Sequence, residues 1–319
     1  MKNEVKRKEK VPTESIIDNS ITDFDLYLET QTSDELILYS GSGYHWYRDE
    51  LQRLVSSGHT TLYTDRKNKS KIAMYYQVNS IPQLEMNLPP EERLNRIEDI
   101  GSAFTKCLFD GEVTEGCAHK AAQIASALTD CLLEETSSIC KLKPLLEKDS
   151  YVLHHSTRVA SYAVAMAITL GLLDKNHLMQ IALGSLFHDI GKANIPEKIL
   201  NKAGPLTDKE WSIMKSHPSI GKAAVKDTFL SQVSVDIIES HHERLDGSGY
   251  PNGVNKERLS PETQITTLAD IFDALTSPRS YQKERTKFES LEFIKEKMLG
   301  THVCPEIFLA LVSTLSLSN

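Results

Sequence analysis

Residues 181–192 read IALGSLFHDIGK, an apolar run that ends in a histidine and an aspartate. Over residues 177–190 the apolar positions recur about every 3.6 residues, which is typical of a helix. His188 and Asp189 follow the apolar run directly, and a polar side chain in such surroundings must find a partner or remain energetically costly. This stretch therefore predicts a helix that carries two polar groups to a partner in the protein interior.

Helical spacing continues on both sides of this stretch. The Pro–Pro pair at residues 89–90 blocks the backward continuation of a helix, so residues 78–90, VNSIPQLEMNLPP, are expected to be a linker. We predict a mainly α protein whose C-terminal part, residues 86–319, is an all-α helical bundle. Helices are predicted at residues 91–109, 117–135, 154–173, 177–190, 208–216, 232–241, 262–275 and 286–299.

The N-terminal part of the chain has a different pattern. Short β-rich runs at residues 23–30, 35–41 and 60–64 predict strands, and RDELQRLVSSG at residues 48–58 predicts a helix. Residues 21–85 are therefore expected to form a small α+β accessory domain. Residues 1–20 begin with the charged sequence MKNEVKRKEK and are expected to be a flexible tail.

Histidine and aspartate side chains recur along the predicted bundle, at intervals of 24–33 residues. Each interval accommodates about one helix and a connection, so successive helices can deliver side chains to a common centre. A metal ion is a partner that all of them could share. The alternative is a set of separately satisfied core histidines and aspartates. The candidate ligands are His155, His188, Asp189, His217, His241, His242 and Asp270.

The number of candidate ligands favours two metal ions. One octahedral ion cannot use seven side chains, whereas two ions bridged by Asp189 and a water molecule can use them and keep positions for the oxygens of a substrate phosphate. Imidazole and carboxylate ligands without thiolate favour two divalent transition-metal ions, Fe or Mn, and leave Zn and Ni open.

Composition excludes several other classes of function. The formal net charge of −8 is unfavourable for gripping the phosphate backbone of DNA or RNA. The sequence has no apolar run of the length that a membrane span requires, and its first residues do not resemble a secretory signal. Five cysteines, an odd number without a CxxC pair, argue against a disulfide framework or a thiolate zinc cage and favour the cytoplasm.

Five sequence blocks in order resemble the HD-GYP family, a branch of the HD-domain metal-dependent phosphohydrolases that hydrolyse cyclic di-GMP. The resemblance runs from about residue 147 to residue 300. The blocks are HSTRVA (155–160), HDIGKANIP (188–196), KSHPSIG (215–221), HHERLDGSGYP (241–251) and LADIFDALTSPRSY (268–281).

The resemblance implies a role for each candidate ligand and for several further residues. Asp189 would bridge the two ions and act in catalysis together with Lys192, which matches the family lysine that approaches the scissile phosphate. The implied ligands of one ion are His155, His188, Asp189 and Asp270, and those of the other are Asp189, His217, His241 and His242.

Substrate contacts are also implied by the resemblance. Arg279 matches an arginine that binds substrate phosphate, and Lys192 would approach the same group. Gly249, Tyr250 and Pro251, here called the GYP loop, would lie beside the site. Where many members read RPYK, this chain has Gln282 at the final position, and Lys283 is a candidate replacement for the missing cation.

A second departure from the family concerns the metal count. Some members have a glutamate four residues before the first ligand histidine and recruit a third metal, whereas this chain has Tyr151 there. Two ions are therefore expected. The expected reaction is the opening of cyclic di-GMP to linear pGpG, with further cleavage to GMP slower or absent.

Two other functions stay open at this stage. The chain could hydrolyse another cyclic dinucleotide such as cyclic GMP-AMP, because the implied contacts are mainly to phosphate. It could also be a catalytically weak cyclic di-GMP sensor or adaptor, with protein partners bound through the N-terminal domain or the GYP loop. A homodimer is a further open expectation.

Overall fold

The computed structural model describes residues 8–30, 35–109, 113–134, 151–277 and 285–316. It confirms a mainly α chain with a small strand-containing N-terminal part. A four-stranded antiparallel sheet has the order β1-β6-β3-β4, and β2 pairs with β5 in a separate two-stranded sheet. The strands are β1 Lys8–Pro12, β2 Ile21–Thr22, β3 Leu26–Glu29, β4 Leu36–Ser40, β5 Tyr44–His45 and β6 Thr61–Asp65.

The predicted flexible tail is wrong from Lys8 onward. Residues Lys8–Pro12 pair in register with Asp65–Thr61 of β6, and Val11 is buried. The sequence did not predict this strand because Val11 is its one core residue, so no period-two pattern is visible. The strand lies at an edge of the sheet, where charged side chains remain in water.

Each predicted helical segment corresponds to a helix of the described chain to within about four residues. The helices are α1 Arg48–Ser56, α2 Lys69–Asn79, α3 Ile81–Asn87, α4 Pro90–Phe109, α5 Glu115–Glu134, α6 Tyr151–Thr169, α7 Lys175–Phe187, α8 Glu197–Leu200, α9 Asp208–Met214, α10 His217–Ala224, α11 Gln232–Ser240, α12 Pro261–Thr276, α13 Lys287–Lys297 and α14 Pro305–Ser316. Helices α2, α3, α8, α10 and α14 were not among the predicted segments. The basic run that begins at Arg66 forms a turn of 3-10 helix and the start of α2.

Helix α2 joins the two parts of the chain. Its residues Ile72 and Tyr75 belong to the core of the sheet, whereas Met74 and Val78 belong to the core of the helical bundle. The predicted linker at residues 78–90 is instead the end of α2 followed by α3. The two cores therefore meet on opposite faces of one helix, and no extended linker separates them at residue 85.

Helices α6, α7 and α12 form the centre of the bundle and carry the site. Helix α6 is buried from Ser156 to Ile168, and it packs against both α7 and α12. Asp174 caps the N-terminus of α7 by accepting a hydrogen bond from the His177 amide, and Ser260 caps α12 in the same way. Among the described helices, none has the length and hydropathy needed to cross a bilayer.

The turn that follows α7 packs directly on the start of α10. A β-carbon on Gly191 would lie 1.9 Å from the His217 carbonyl oxygen, which no side chain could tolerate. Glycine therefore allows the 3-10 turn Ile190–Asn194 to approach α10 closely. This contact brings the residues after α7 next to His217.

Candidate metal centre

The structure brings together all seven side chains that the sequence singled out as metal ligands. They form two adjacent groups, and within each group the potential ligand atoms lie within 4.8 Å of one another. Both groups are buried or half-buried. One group contains His155, His188 and Asp270, and the other contains Asp189, His217, His241 and His242.

Asp189 lies between the two groups, with one carboxylate oxygen toward each. Its Oδ2 atom is 3.4 Å from His188 Nε2 and 3.6 Å from His155 Nε2. Its Oδ1 atom is 3.3 Å from His217 Nε2 and 3.9 Å from His241 Nε2. A carboxylate in this position can offer one oxygen to an ion in each group.

Helix ends orient three of the histidines. His188 and His241 directly follow α7 and α11, and His217 lies three residues after the last residue of α9. In each case imidazole Nδ1 is 2.7–3.0 Å from the backbone carbonyl oxygen three residues earlier. Carbonyls in a last helical turn lack an intrahelical partner, so they accept the Nδ1 proton. This leaves the unprotonated Nε2 atom toward the centre, as a metal ligand requires.

A carboxylate orients the fourth histidine, and the sequence reasoning missed it. His155 Nδ1 is 2.7 Å from Asp273 Oδ2, and Asp273 also accepts a bond from the buried guanidinium of Arg158. Ser277 accepts a bond of 3.0 Å from Arg158. The available signal was spacing: Arg158 follows His155 by three residues, and Asp273 follows Asp270 by three, so each pair shares a helix face.

The electrostatics of the site hold most ligands in metal-binding form. Burial would raise the pKa of Asp189, but Lys192 and the neighbouring histidines outweigh it, and the pKa lies well below its usual range. The pKa of Asp270 is lowered well below its usual range in the same way, against burial, mainly by His155. Burial lowers the pKa of His242 to about 3 and that of His241 well below its usual range.

His155 differs from the other ligands. Burial lowers its pKa, yet hydrogen bonds to Asp270 and Asp273 outweigh burial and raise the pKa to about 9. A metal ion at this position must therefore displace a proton from the imidazole. The charge that Asp273 supplies favours a cation here, whether a proton or a metal.

Within the described part of the chain, two buried atoms at the centre have no hydrogen-bond partner. They are His188 Nε2 and Asp189 Oδ1, which belong to different groups. A buried polar atom without a partner is costly, and such atoms are rare in folded proteins. Because both are strong metal-ligand atoms, the residues present fit a metal centre.

Lys192 and the GYP loop flank the centre. Lys192 Nζ donates a hydrogen bond of 2.6 Å to Asp189 Oδ2. The Tyr250 ring lies 4.7 Å from the His242 ring at an interplanar angle of 32°. The structure therefore places both of these predicted substrate contacts beside the candidate ligands.

A buried carboxylate that the sequence reasoning missed holds the backbone that directly follows the GYP loop. Glu243 accepts hydrogen bonds from the backbone amides of Asn252, Gly253 and Val254. Gly247 has a φ of +76°, which favours glycine. Gly249 is needed for space, because a β-carbon there would lie 2.4 Å from the Glu243 α-carbon. The loop, which contains a cis Tyr250–Pro251 bond, is thus tightly packed behind His242.

Several predicted site residues lie outside the part of the chain that the structure describes. They are Arg279, Gln282 and Lys283, in the segment between α12 and α13. The Tyr151 side chain is also outside the described set.

Comparison with known proteins gives one family and several relatives. Residues 141–307 match the family described as HD domain. The chain is 33% identical over 201 residues to cyclic di-GMP phosphodiesterase PA4108 of Pseudomonas aeruginosa, covering 63% of this chain and 48% of that protein. It is 36% identical over 170 residues to 3'3'-cGAMP-specific phosphodiesterase 3 of Vibrio cholerae, covering 53% of this chain and 36% of that protein. The chain thus spans less than half the length of these curated relatives.

A solved structure supports the fold. Bd1817, an HD-GYP-type protein from Bdellovibrio bacteriovorus, superposes with a TM-score of 0.64 over 97% of this chain and 99% of that chain, at 18% identity. The HD domain match covers just over half of the sequence and includes all seven clustered side chains. The GYP loop, packed beside the cluster, resembles that of the HD-GYP branch. The chain therefore belongs to the HD domain family, with its HD pair at residues 188–189 in the cluster.

Proposed function

We propose that this chain is a metal-dependent phosphodiesterase that hydrolyses cyclic di-GMP to linear pGpG. The observation that carries the proposal is the position of Asp189, whose two oxygens face two separate groups of ligand atoms. Relatives named cyclic di-GMP phosphodiesterase support the substrate class.

The proposed centre holds two divalent transition-metal ions, Fe or Mn, with Zn and Ni as alternatives. His155, His188 and Asp270 would hold one ion, and His217, His241 and His242 the other, with Asp189 bridging. Such ions would supply Lewis acidity and an activated water for attack on phosphorus. The donor set of imidazoles and carboxylates without thiolate suits these metals.

The side chains of this protein would perform the remaining tasks. Three backbone carbonyls and Asp273 keep the Nε2 atoms of four of the five ligand histidines directed at the centre. Lys192, with its Nζ atom 2.6 Å from Asp189, would offset the negative charge that develops on the phosphate. Lys192 or a water would then protonate the leaving 3′-oxygen.

Cyclic GMP-AMP is the second candidate substrate, because three of the Vibrio cholerae relatives are named 3'3'-cGAMP-specific phosphodiesterases. Incubating metal-loaded protein with a panel of cyclic dinucleotides and separating the products distinguishes the two. Release of pGpG from cyclic di-GMP at the highest kcat/KM supports the proposal. Binding of nucleotide without any turnover would instead indicate a sensor or adaptor, and would contradict it.

We expect two metal ions per chain. The seven-ligand cluster offers two groups, and the sequence has Tyr151 at the position where some family members recruit a third ion. Elemental analysis of protein purified without chelator measures the number. A reproducible value near one or near three per chain would contradict this expectation.

Arg279→Ala is expected to weaken nucleotide binding about tenfold to a hundredfold, because a charged hydrogen bond in a partly solvated site is worth about 1.5–3 kcal/mol. Metal content should not change, since Arg279 is not a proposed ligand. Calorimetric titration with a non-hydrolysable cyclic di-GMP analogue measures the affinity. Unchanged affinity would assign the phosphate contact to Lys283, and Lys283→Ala is the matched variant.

The broader setting remains a prediction from the sequence. It includes a cytoplasmic location, a homodimer, and protein partners bound through the N-terminal domain or the GYP loop. Cleavage beyond pGpG to GMP is expected to be slow or absent, and the product analysis above measures it directly.

A further inference from the structure

Helix α9 has no buried side chain, although it lies next to the metal centre, where the carbonyl of its last residue, Met214, is 2.8 Å from His217 Nδ1. Its position is fixed by polar contacts: Thr207 and Glu210 form a capping box, and Lys202 Nζ lies 2.5 Å from Glu210. The helix nevertheless carries Trp211, which is 46% exposed. Packing of the core therefore does not account for a tryptophan at this position.

The second tryptophan of the chain has a different environment. Trp46 is fully buried in the core of the N-terminal sheet and donates a hydrogen bond to Thr22. Tryptophan is highly buried on average in folded proteins, so a half-exposed ring beside a candidate active site requires a reason. Trp211 is also clear of the seven-ligand cluster, so metal binding does not provide that reason.

Trp211 is connected to the metal centre by a short series of aromatic contacts. Its ring lies 6.2 Å from the ring of Tyr250, edge to face at 75°. Tyr250 in turn lies 4.7 Å from His242, a candidate ligand. The Tyr250 ring thus lies between Trp211 and a candidate metal ligand, and Trp211 remains exposed to solvent at the rim of the site.

The proposed substrate has a group that matches this surface. A cyclic dinucleotide carries a purine on the ribose next to each phosphodiester, so a phosphate held at the metal centre brings a base to the rim of the site. Bases stack on exposed aromatic side chains with little regard to base identity, since every base has a π face. An exposed indole next to Tyr250 offers such a face.

We propose that Trp211 is a nucleobase platform, on which a purine of the cyclic dinucleotide stacks while its phosphate lies at the metal centre. The inference rests on the proposed function and extends it by naming a base subsite that the phosphate contacts do not provide. Because stacking tolerates either purine, Trp211 contributes affinity for cyclic dinucleotides without selecting guanine over adenine.

Tryptophan fluorescence and kinetics of metal-loaded protein test the platform. A phosphorothioate analogue of cyclic di-GMP, which resists hydrolysis, should quench emission of the wild-type protein, because a base stacked on an indole quenches it. Trp211→Phe should lose this change and keep its KM within about twofold, since a phenyl ring still stacks. Trp211→Ala should raise the KM for cyclic di-GMP at least about fivefold, with metal content unchanged.

Phe229→Ala is the matched control, because the Phe229 side chain is 45% exposed, about as much as that of Trp211. Its ring contacts His119, which is not a member of the seven-ligand cluster. Its KM should equal that of the wild type. An unchanged KM in Trp211→Ala, or quenching that persists in Trp211→Phe, overturns the platform while leaving the proposed function standing. A metal-loaded wild-type protein that neither binds nor cleaves any cyclic dinucleotide overturns the proposed function itself.

Discussion

Asp189→Ala is expected to abolish hydrolysis and to remove most of the bound metal. The carboxylate of Asp189 contacts ligand atoms of both groups through separate oxygens, so its loss affects both ions together. Metal ions contribute several kcal/mol of transition-state stabilisation, and every 1.4 kcal/mol is about a factor of ten in rate. A loss of kcat on the order of 10³-fold or more is expected. Elemental analysis and product separation measure the two effects.

His154→Ala is the control for this variant. His154 precedes His155 by about 100° on helix α6, and it belongs to neither of the two groups among the described residues. The variant should keep its metal and its activity. Equal loss of metal in Asp189→Ala and His154→Ala would show that the ligand assignment on α6 is wrong.

Asp189→Asn tests bridging more finely. Asparagine preserves the shape of the side chain but replaces one oxygen by an amide NH2 group, which donates hydrogen bonds and cannot bind a cation. One ion should therefore lose its contact while the other can keep it. Retention of both ions by Asp189→Asn would argue that the two groups bind metal without a bridge.

The cluster could be predicted from the sequence because histidine and aspartate side chains are costly to bury without a partner. His188 and Asp189 interrupt an apolar run, and Asp270 lies among apolar residues of α12, so each demanded a partner. The structure places them within one cluster. Helix type and extent were also predictable, since long segments with a clear period carry the strongest signal.

Other features depend on tertiary contacts that the sequence expresses weakly. β1 contains one buried apolar residue, Val11, and becomes a strand only because β6 lies beside it. Glu243 is one acidic residue in a polar segment, and its function is visible only when the GYP loop folds over it. The linker expected at residues 78–90 is mostly helical, because Val78 and Ile81 are buried in the bundle core and Leu84 packs against it.

Asp273→Ala is the second variant for which a large effect is expected, and it should affect folding and metal binding by separate routes. The Asp273 side chain is 1% exposed and that of Arg158 is 6% exposed, so removal of the carboxylate leaves a buried guanidinium without its charge partner. Breaking such a pair costs about 3–5 kcal/mol of unfolding free energy. Asp227→Ala, at a side chain 87% exposed, is the matched control and should change stability by less than about 0.5 kcal/mol.

The second effect of Asp273→Ala concerns the metal. Asp273 fixes the ring of His155 through Nδ1, and loss of such an outer partner typically lowers metal affinity or activity about tenfold to a hundredfold. Only the ion held by His155 should weaken at first, because His188, His217 and His241 are oriented by backbone carbonyls that remain. Titration of metal-free protein should therefore show one weakened site and one unchanged site.

A double variant separates the two effects. Arg158→Met with Asp273→Ala removes the buried charge together with its partner, and replacing both members of a buried pair by apolar groups is often neutral for stability. Denaturant unfolding should therefore show most of the lost free energy restored, whereas the weakened metal site should stay weak because His155 still lacks its acceptor. If the double variant regained full metal affinity, Asp273 would act only through the fold. If the single variant bound both ions as tightly as the wild type, the orientation of His155 would be set by α6 alone.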